Sequence, residues 1–577
     1  MERLERKLIG GKPYYYYSKW GRKGGKCKRL WQKYLGKLED IVAAMSEGIR
    51  ASFAEVFDFG LPTAFWSEAR RHGIIEELDR VCPKRDQGLT VGQYIAIAAL
   101  NRAICPTSKM AMWEWFSGTT LRRFFPEANE KLLNSQRFWD HMDLVDAEKG
   151  KRFWEGLIGR VIETEKMNPA QICYDGTNFY TFISTFNSRC SVAKRGKNKQ
   201  GRSNLRQVNY ALFCSRDGGI PLYYDVYDGN THDAKKFPEI IKDFSDFLSR
   251  APGGGSKAFD IGGITVVFDK GNNSRDNIKL LDDLKLHFVG SVKLNEHHDL
   301  ADVSINDPRF RACRGNGLEK MKAFSVSKQV YDATRKIVVT FNQKLFDDQF
   351  VTLTDDIRKA FEKLSSIQQR LDDRARGLIR GGRPPTASSI RKQCDEARKR
   401  QHLKEIISVN VEEGSIPKIT YELNSKKMDE VTDRYLGKKL LITSREEWND
   451  DELINAYHGQ YVIEHVFRDM KGSCRDAKEG VWWPMNHWTD QKIAVHGLYC
   501  TIAVLLRSLV HWRVKSQGVD ISRGRLMKEL EGIREVINIQ EAKGRRKEKR
   551  STVLTKLSGL QRSILQALKI EKETVLG

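Results

Sequence analysis

The stretch from Pro169 to Leu294 constrains this chain most, because the hydrophobic period there switches from helical to strand-like and then alternates. "AQICYD", "LRQVNYALFCSRDG" and "IPLYYDVYDGN" read as three strands, the last two joined by a hairpin turn at Asp217, Gly218 and Gly219. "DAKKFPEIIKDFSDFLSR" has the period of an amphipathic helix. "GITVVFDKG" is short, apolar and β-branched, the pattern of a strand buried on both faces. "NSRDNIKLLDDLK" follows as a helix with Asn and Ser at its start, and "HFVGSVKL" as another buried strand. This order predicts a mixed sheet with helices on its faces.

The first of these strands and the buried β-branched one are expected to end on carboxylates, Asp175 and Asp269. If they are neighbours, both carboxylates emerge near one sheet edge. A third, Glu464, lies in "YHGQYVIEHVFRDMKG", Tyr457 to Gly472. As one helix turning about 100° per residue, this stretch places Tyr457, Gln460, Glu464 and Lys471 within roughly 60°, with Arg468 beside them. Val462, Ile463, Val466, Phe467 and Met470 fill an adjoining apolar sector of roughly 140°. Three converging carboxylates repel one another unless a cation sits between them. Hard oxygen ligands select Mg²⁺ or Mn²⁺ over zinc, and a pair of such ions serves phosphodiester chemistry. Each Asp alone also reads as a strand-end turn residue, and Glu464 as a surface partner for nearby cations. Their order in a chain of formal charge +24 favours catalysis.

That charge, from 99 Lys and Arg against 75 Asp and Glu, implies a polyanionic partner, with nucleic acid first. A membrane is not expected, since no run approaches about 18 apolar residues and neither end carries a long basic amphipathic segment. The N-terminal "MERLERKLIGGKPYYYY" has no signal-peptide core. The ten cysteines are dispersed, without C-x-x-C, as reduced thiols of a cytoplasm would be.

The element order resembles the ribonuclease-H-like, retroviral-integrase-like fold, an α/β core. The expected organisation is then a basic aromatic strand hairpin (1–45), a helical DNA-binding region (46–165), the core's first part (166–344), an insertion of a helical hairpin and then strands (345–444), the Glu-bearing and packing helices (445–515), and a basic helical tail (516–577). The hairpin reads equally as a nucleic-acid surface or as an edge guarded by lysines. In the insertion, Ile357, Phe361, Leu364, Ile367 and Leu371 form a helical seam. Between the first two strands, Asn187 to Arg206 carries Lys194, Arg195, Lys197, Lys199, Arg202 and Arg206, and reads as a mobile loop along DNA or as a solvated loop. Trp448 reads as a packing residue near a helix start or as a stacking platform for an extruded base. The run Lys543 to Ser551 reads as a solvated basic loop.

"YHGQYVIEHVFRDMK" resembles the Tyr–Arg–Glu–Lys signature of insertion-sequence DDE transposases, the insertion-sequence-four superfamily. "CYDGTNFY" and "VVFDKGNNSRDN" resemble that family's two Asp blocks, and "VYDGNTHD" its G-N-x-x-D turn; His232 and Asp233 read by themselves as turn residues that need no function, and the resemblance implies active-site neighbours. "YLGKL" and "MNHWTDQKIAVHGL" resemble one of its subfamilies, so the likeness runs from about residue 14 to about 510. It implies that Asp175 bridges two Mg²⁺ ions, with Mn²⁺ as a substitute, while Asp269 binds one and Glu464 the other. It also implies that Lys471 contacts phosphate and that Tyr457 packs or hydrogen-bonds at the strand end. The implied partners are double-stranded DNA, as inverted-repeat ends and target, and a second copy on that DNA. The implied location is a prokaryotic cytoplasm, at the nucleoid. Gln460 stands where the family has Arg, and it brings no charge and no bidentate fork; Arg468 is the candidate replacement. The competing readings are a related nuclease or resolvase that cleaves without joining, and a non-catalytic DNA-binding protein of transposase descent.

Overall fold

The computed structural model describes residues 2–23, 26–46, 53–83, 88–250, 261–315, 317–472, 480–540 and 549–570. They form two compact units, Met1–Ile261 with Tyr461–Gly577, and Gly262–Gln460.

The first unit is built around two long buried helices. Thr90 caps Val91–Ile104 as its sequence position predicts: its hydroxyl accepts from Gln93 N at 3.1 Å, and the Gln93 side chain accepts from Thr90 N at 2.8 Å. Asp490–Ser516 packs against it. That helix is long and apolar enough to cross a membrane, but 89% of its apolar window is buried inside the protein. Beside these helices, strand Gln171–Thr181 pairs antiparallel with Arg206–Ser215, which pairs on with Pro221–Asp228. The hairpin turn falls where expected, with Gly218 and Gly219 at φ of 79° and 60°. Helix Asp233–Arg250 follows. Helix Tyr461–Lys471 buries Ile463, Val466, Phe467 and Met470 and packs on Gln171–Thr181 and Arg206–Ser215.

The same unit holds a six-stranded sheet in the order Glu2–Ile9, Lys12–Lys23, Lys26–Gly36, Ala54–Asp58, Arg534–Gln540, Lys549–Leu554. Two expectations are corrected here. The region after Met45 is not wholly helical, because Ala54–Asp58 is a strand. The tail after 516 is not wholly helical, because "REVINIQ" pairs with that strand, Val536 opposite Val56. Strands this short take their conformation from a partner distant in sequence. Gly24, Gly25 and most of the run Lys543 to Ser551 lie outside the described residues.

The second unit contains a mixed sheet. Thr265–Phe268 lies parallel to His287–Val292 with helix Arg275–Asp283 as the crossover, which keeps the strand, helix, strand order read from the sequence. His287–Val292 pairs antiparallel with Lys438–Thr443, and the sheet continues through Ala333–Asn342 and Met321–Val330 to Arg311–Ala312. The hairpin of Met321–Val330 and Ala333–Asn342 was not foreseen. Its turn residues, Tyr331 and Asp332, take φ of 52° and 66° without a glycine, so the usual turn signal is missing. Helix Gln343–Ala375 opens the insertion. Leu364, Ile367 and Leu371 are buried against Ile390 and Cys394 of helix Ala387–Ala397, with Ile357 and Phe361 packed alongside, as the seam predicted. Ile407–Glu412 and Lys418–Leu423 form a separate two-stranded sheet, whereas Lys438–Thr443, expected within the insertion, returns to the mixed sheet.

Candidate active site

Asp175 does not end its strand. It sits inside Gln171–Thr181, opposite Leu212, and its Oδ1 accepts from Gly176 N at 2.7 Å. The strand runs on because Gly176, Thr177, Asn178 and Phe179 are buried against the helices packed on it. Glu464 is exposed in the first turn of the helix packed on this strand. Lys471, two turns on and on the same helix face, ends that helix. Its ammonium lies 5.8 Å over the Phe179 ring. Burial and the nearby Lys199 cation bring its pKa down to about 8, while the Asp175 charge pulls the other way. Arg468 is exposed, and neither it nor Glu464 has an ion-pair partner among the described residues. After the helix, Trp482 stacks on Phe179 at 4.1 Å and Trp483 on Tyr180 at 4.5 Å, which clasps the Asp175 strand. These two tryptophans escaped the sequence reading, although "VWWP" is an unusual aromatic pair.

The turn after Pro221–Asp228 brings a further carboxylate to this strand. Asp233 accepts from the Tyr227 hydroxyl at 2.8 Å and lies 3.5 Å from Lys199 Nζ. Lys199 also donates to Gly176 O at 2.6 Å. A Cβ added at Gly176 would stand 3.2 Å from the Asp233 carboxyl carbon. The turn is held by Asn209, which donates to Asp228 O at 2.9 Å and to Thr231 O at 2.8 Å. Only glycine fits at Gly229, where a Cβ would come within 1.8 Å of Gln207 O. His232 is exposed.

The basic segment before Arg206 is built into the sheet rather than loose. Lys194–Arg195 pairs with the strand Arg206–Ser215. Arg206 donates to the carbonyls of Ala193, Ser184, Asn187 and Cys190, so it staples its own loop. Lys194 pairs with Asp228, Arg195 donates to Thr185, and Arg202 lies over Tyr180. Lys197 is exposed.

Asp269 belongs to the second unit. It follows Thr265–Phe268, and its Oδ1 accepts from Lys270 N at 2.7 Å and from the Tyr457 hydroxyl at 3.3 Å. Tyr457 is buried, and its hydroxyl oxygen also lies 3.1 Å from Ser291 Oγ, from which it can accept. The expected single helix through Tyr457 and Lys471 is broken: Asp450–His458 ends before Gly459 and Gln460, and Tyr461–Lys471 begins anew. The side-chain face expected across that break therefore holds only from Tyr461 onward. Trp448 is half-buried with the Arg445 guanidinium 5.7 Å from its ring, and its carbonyl accepts from Lys336 at 2.6 Å. The cap of the following helix is Asn449.

Among the described residues, one group of three potential ligands lies within 4.8 Å: Glu68, His72 and Glu165. It does not fit a metal. Arg513 already fills it, donating to Glu68 Oε2 at 2.9 Å and to Glu165 Oε1 at 2.5 Å. Burial disfavours a charged His72, yet Glu165 and Glu68 outweigh this and raise its pKa. A buried acid and a partly buried one facing two cations form an ion-pair network.

Residues 168–479 match the family model described as "Transposase DDE domain". The chain belongs to that family, and the matched span contains Asp175, Asp269 and Glu464. Among solved structures, a piggyBac transposase synaptic complex with hairpin DNA aligns over 81% of this chain and 79% of that one, at 11% identity and a TM-score of 0.36, too low to carry an argument. No curated protein matches the sequence.

Proposed function

We propose that this DDE-domain transposase cleaves DNA at the ends of its element and joins the freed 3′-hydroxyl to target DNA, with Asp175, Asp269 and Glu464 as its carboxylates on a ribonuclease-H-like core. The observation that carries the reading is the packing of the Glu464 helix on the Asp175 strand, with Lys471 drawn into the field of Asp175. The carboxylates offer hard oxygen donors suited to two Mg²⁺ ions, with Mn²⁺ as substitute, and neither Asp269 nor Glu464 is bound to a cationic side chain among the described residues. Bound there, the ions would supply Lewis-acid activation of the attacking and leaving oxygens. The chain's own groups do the rest. The Tyr457 hydroxyl holds Asp269 in orientation. Lys471 meets a DNA phosphate, and Arg468, beyond Glu464 on the exposed face, takes the place of the absent family Arg at Gln460. The net charge of +24 suits duplex DNA, and the pairing of two ends calls for a dimer.

A strand-transfer assay with labelled inverted-repeat ends and Mg²⁺ tests this. Joined product is expected from the wild type and none from Asp175→Asn, Asp269→Asn or Glu464→Gln. Cleavage without joining would make the protein a nuclease, and binding alone would make it a DNA-binding relic.

A further inference from the structure

Beneath the segment that clasps the Asp175 strand lies a buried polar group with two cations, Arg102 and Lys109, that have no counter-charge among the described residues. Arg102 comes from Val91–Ile104, Lys109 from the short turn after it, His487 from the clasp, and His496, Tyr499 and Cys500 from Asp490–Ser516. Lys109 is 7% exposed, Arg102 2% and His487 4%. The Lys109 ammonium sits against the faces of Tyr499, at 4.3 Å, and Phe138, at 4.8 Å. The Arg102 guanidinium lies 5.8 Å from the same Tyr499 ring. Arg102 spends one nitrogen on Pro484 O at 2.7 Å. Its Nε and Nη1, Lys109 Nζ and His487 Nδ1 are all buried without a hydrogen-bond partner among the described residues.

The neighbouring histidines do not relieve this. His496 Nε2 faces Trp482 O at 2.8 Å, which requires the proton there, so Nδ1 accepts from the Tyr499 hydroxyl at 2.5 Å. Tyr499 then accepts from His487 Nε2 at 3.1 Å, and His487 is left neutral with one free lone pair. That lone pair can take one of the free N–H groups. Among the described residues the remaining donors face ring quadrupoles and no carboxylate, although a buried guanidinium calls for an anion. A water offers lone pairs but no charge.

We propose that Arg102 and Lys109 hold a small monovalent inorganic anion, chloride or a close equivalent, under the clasp. Arg102 contributes its free Nε and Nη1, and Lys109 its ammonium. Burial and the Arg102 charge push the Lys109 pKa below its ordinary value, and an anion beside the ammonium works in the opposite direction. The other titratable groups facing the pair, His487, His496 and Tyr499, stay neutral in the relay above, and Cys500 is held as a thiol by burial. By fastening the clasp through Arg102 and Pro484 O, the anion would steady the strand that carries Asp175.

The test is thermal unfolding of the full chain in sodium chloride against sodium gluconate at one ionic strength, from pH 6 to pH 8.5. A saturable stabilisation by chloride is expected, weaker at the higher pH, and absent in Lys109→Met and Arg102→Met. Equal melting in the two salts overturns the proposal. Since either variant can fail to fold, wild-type crystals grown in bromide give a second readout: an anomalous peak beside Lys109 Nζ is expected, and water density there instead refutes the site.

Discussion

Lys471 gives the sharpest quantitative test of the active-site reading. Its pKa of about 8 means about ten ammonium forms per amine at pH 7 and the reverse at pH 9. A phosphate placed against it favours the charged form, so the pKa rises on binding and the complex takes up protons. Affinity is therefore full below about pH 8 and falls as pH climbs from there towards the bound-state value. A charge-assisted hydrogen bond contributes about 1.5–3 kcal/mol, equivalent to about 10- to 150-fold in Kd. The assay is fluorescence anisotropy with a labelled terminal-repeat duplex at fixed ionic strength, from pH 6.5 to 9.5. The wild type should weaken by about tenfold or more over the upper range, while Lys471→Arg, whose guanidinium keeps its charge, should hold its affinity. Lys471→Met should bind weakly at every pH, with a salt slope shallower by about 0.9. A wild-type affinity that stays constant across the range, or an arginine variant that tracks it, would refute the contact.

Three other expectations follow from geometry. Arg513→Met strands Glu68 and Glu165 in the interior and should cost about 3–5 kcal/mol in urea unfolding; a loss under about 1 kcal/mol would reopen the cluster as a metal site, as would stabilisation by added Mn²⁺ or Zn²⁺. In the same network the raised His72 contributes stability below its unfolded pKa of about 6.5 that is lost as pH rises through the folded value. Burial opposes ionisation of Glu68 and Glu165, but His72 and Arg513 prevail and lower both pKa values, so their share holds above about pH 4.3 and fades in acid; His72→Gln should flatten the loss on the alkaline side. Tyr457→Phe removes the hydroxyl between Asp269 and Ser291 and should cost about 1 kcal/mol of stability, with cleavage falling by more than that loss explains; unaltered cleavage would show that Asp269 needs no such support. Gly229→Ala should destabilise far more than Gly271→Ala, whose added methyl meets open space, and similar melting points would contradict the close approach to Gln207.

Much of this was legible in sequence wherever periodicity was local. The buried run TVVF, the helix capped by Ser274 and the buried strand after it came out as read, because each is set by its own apolar pattern. The carboxylates were visible as residues, but their settings were not. Asp175 looked like a strand end because Gly176 follows it, whereas packing carries the strand on to Thr181. Gly459 and Gln460 looked like ordinary helix positions, yet the chain breaks there and starts a second helix. Asp233 stood out only through its motif; its place beside Gly176 depends on a turn fixed by Asn209 from another strand. Ion-pair networks joining Glu68 to Arg513 leave no trace in a one-dimensional pattern.

The sheet that opens the chain has a bearing on its synthesis. Ala54–Asp58 is flanked by Lys26–Gly36 through a single pair, Tyr34 with Ala54, and its other edge is covered by Arg534–Gln540. Until the ribosome has delivered that late segment, the edge it covers presents bare amides and carbonyls, which makes nascent or truncated chains sticky. Premature termination would thus yield fragments destined for clearance rather than a shorter working enzyme.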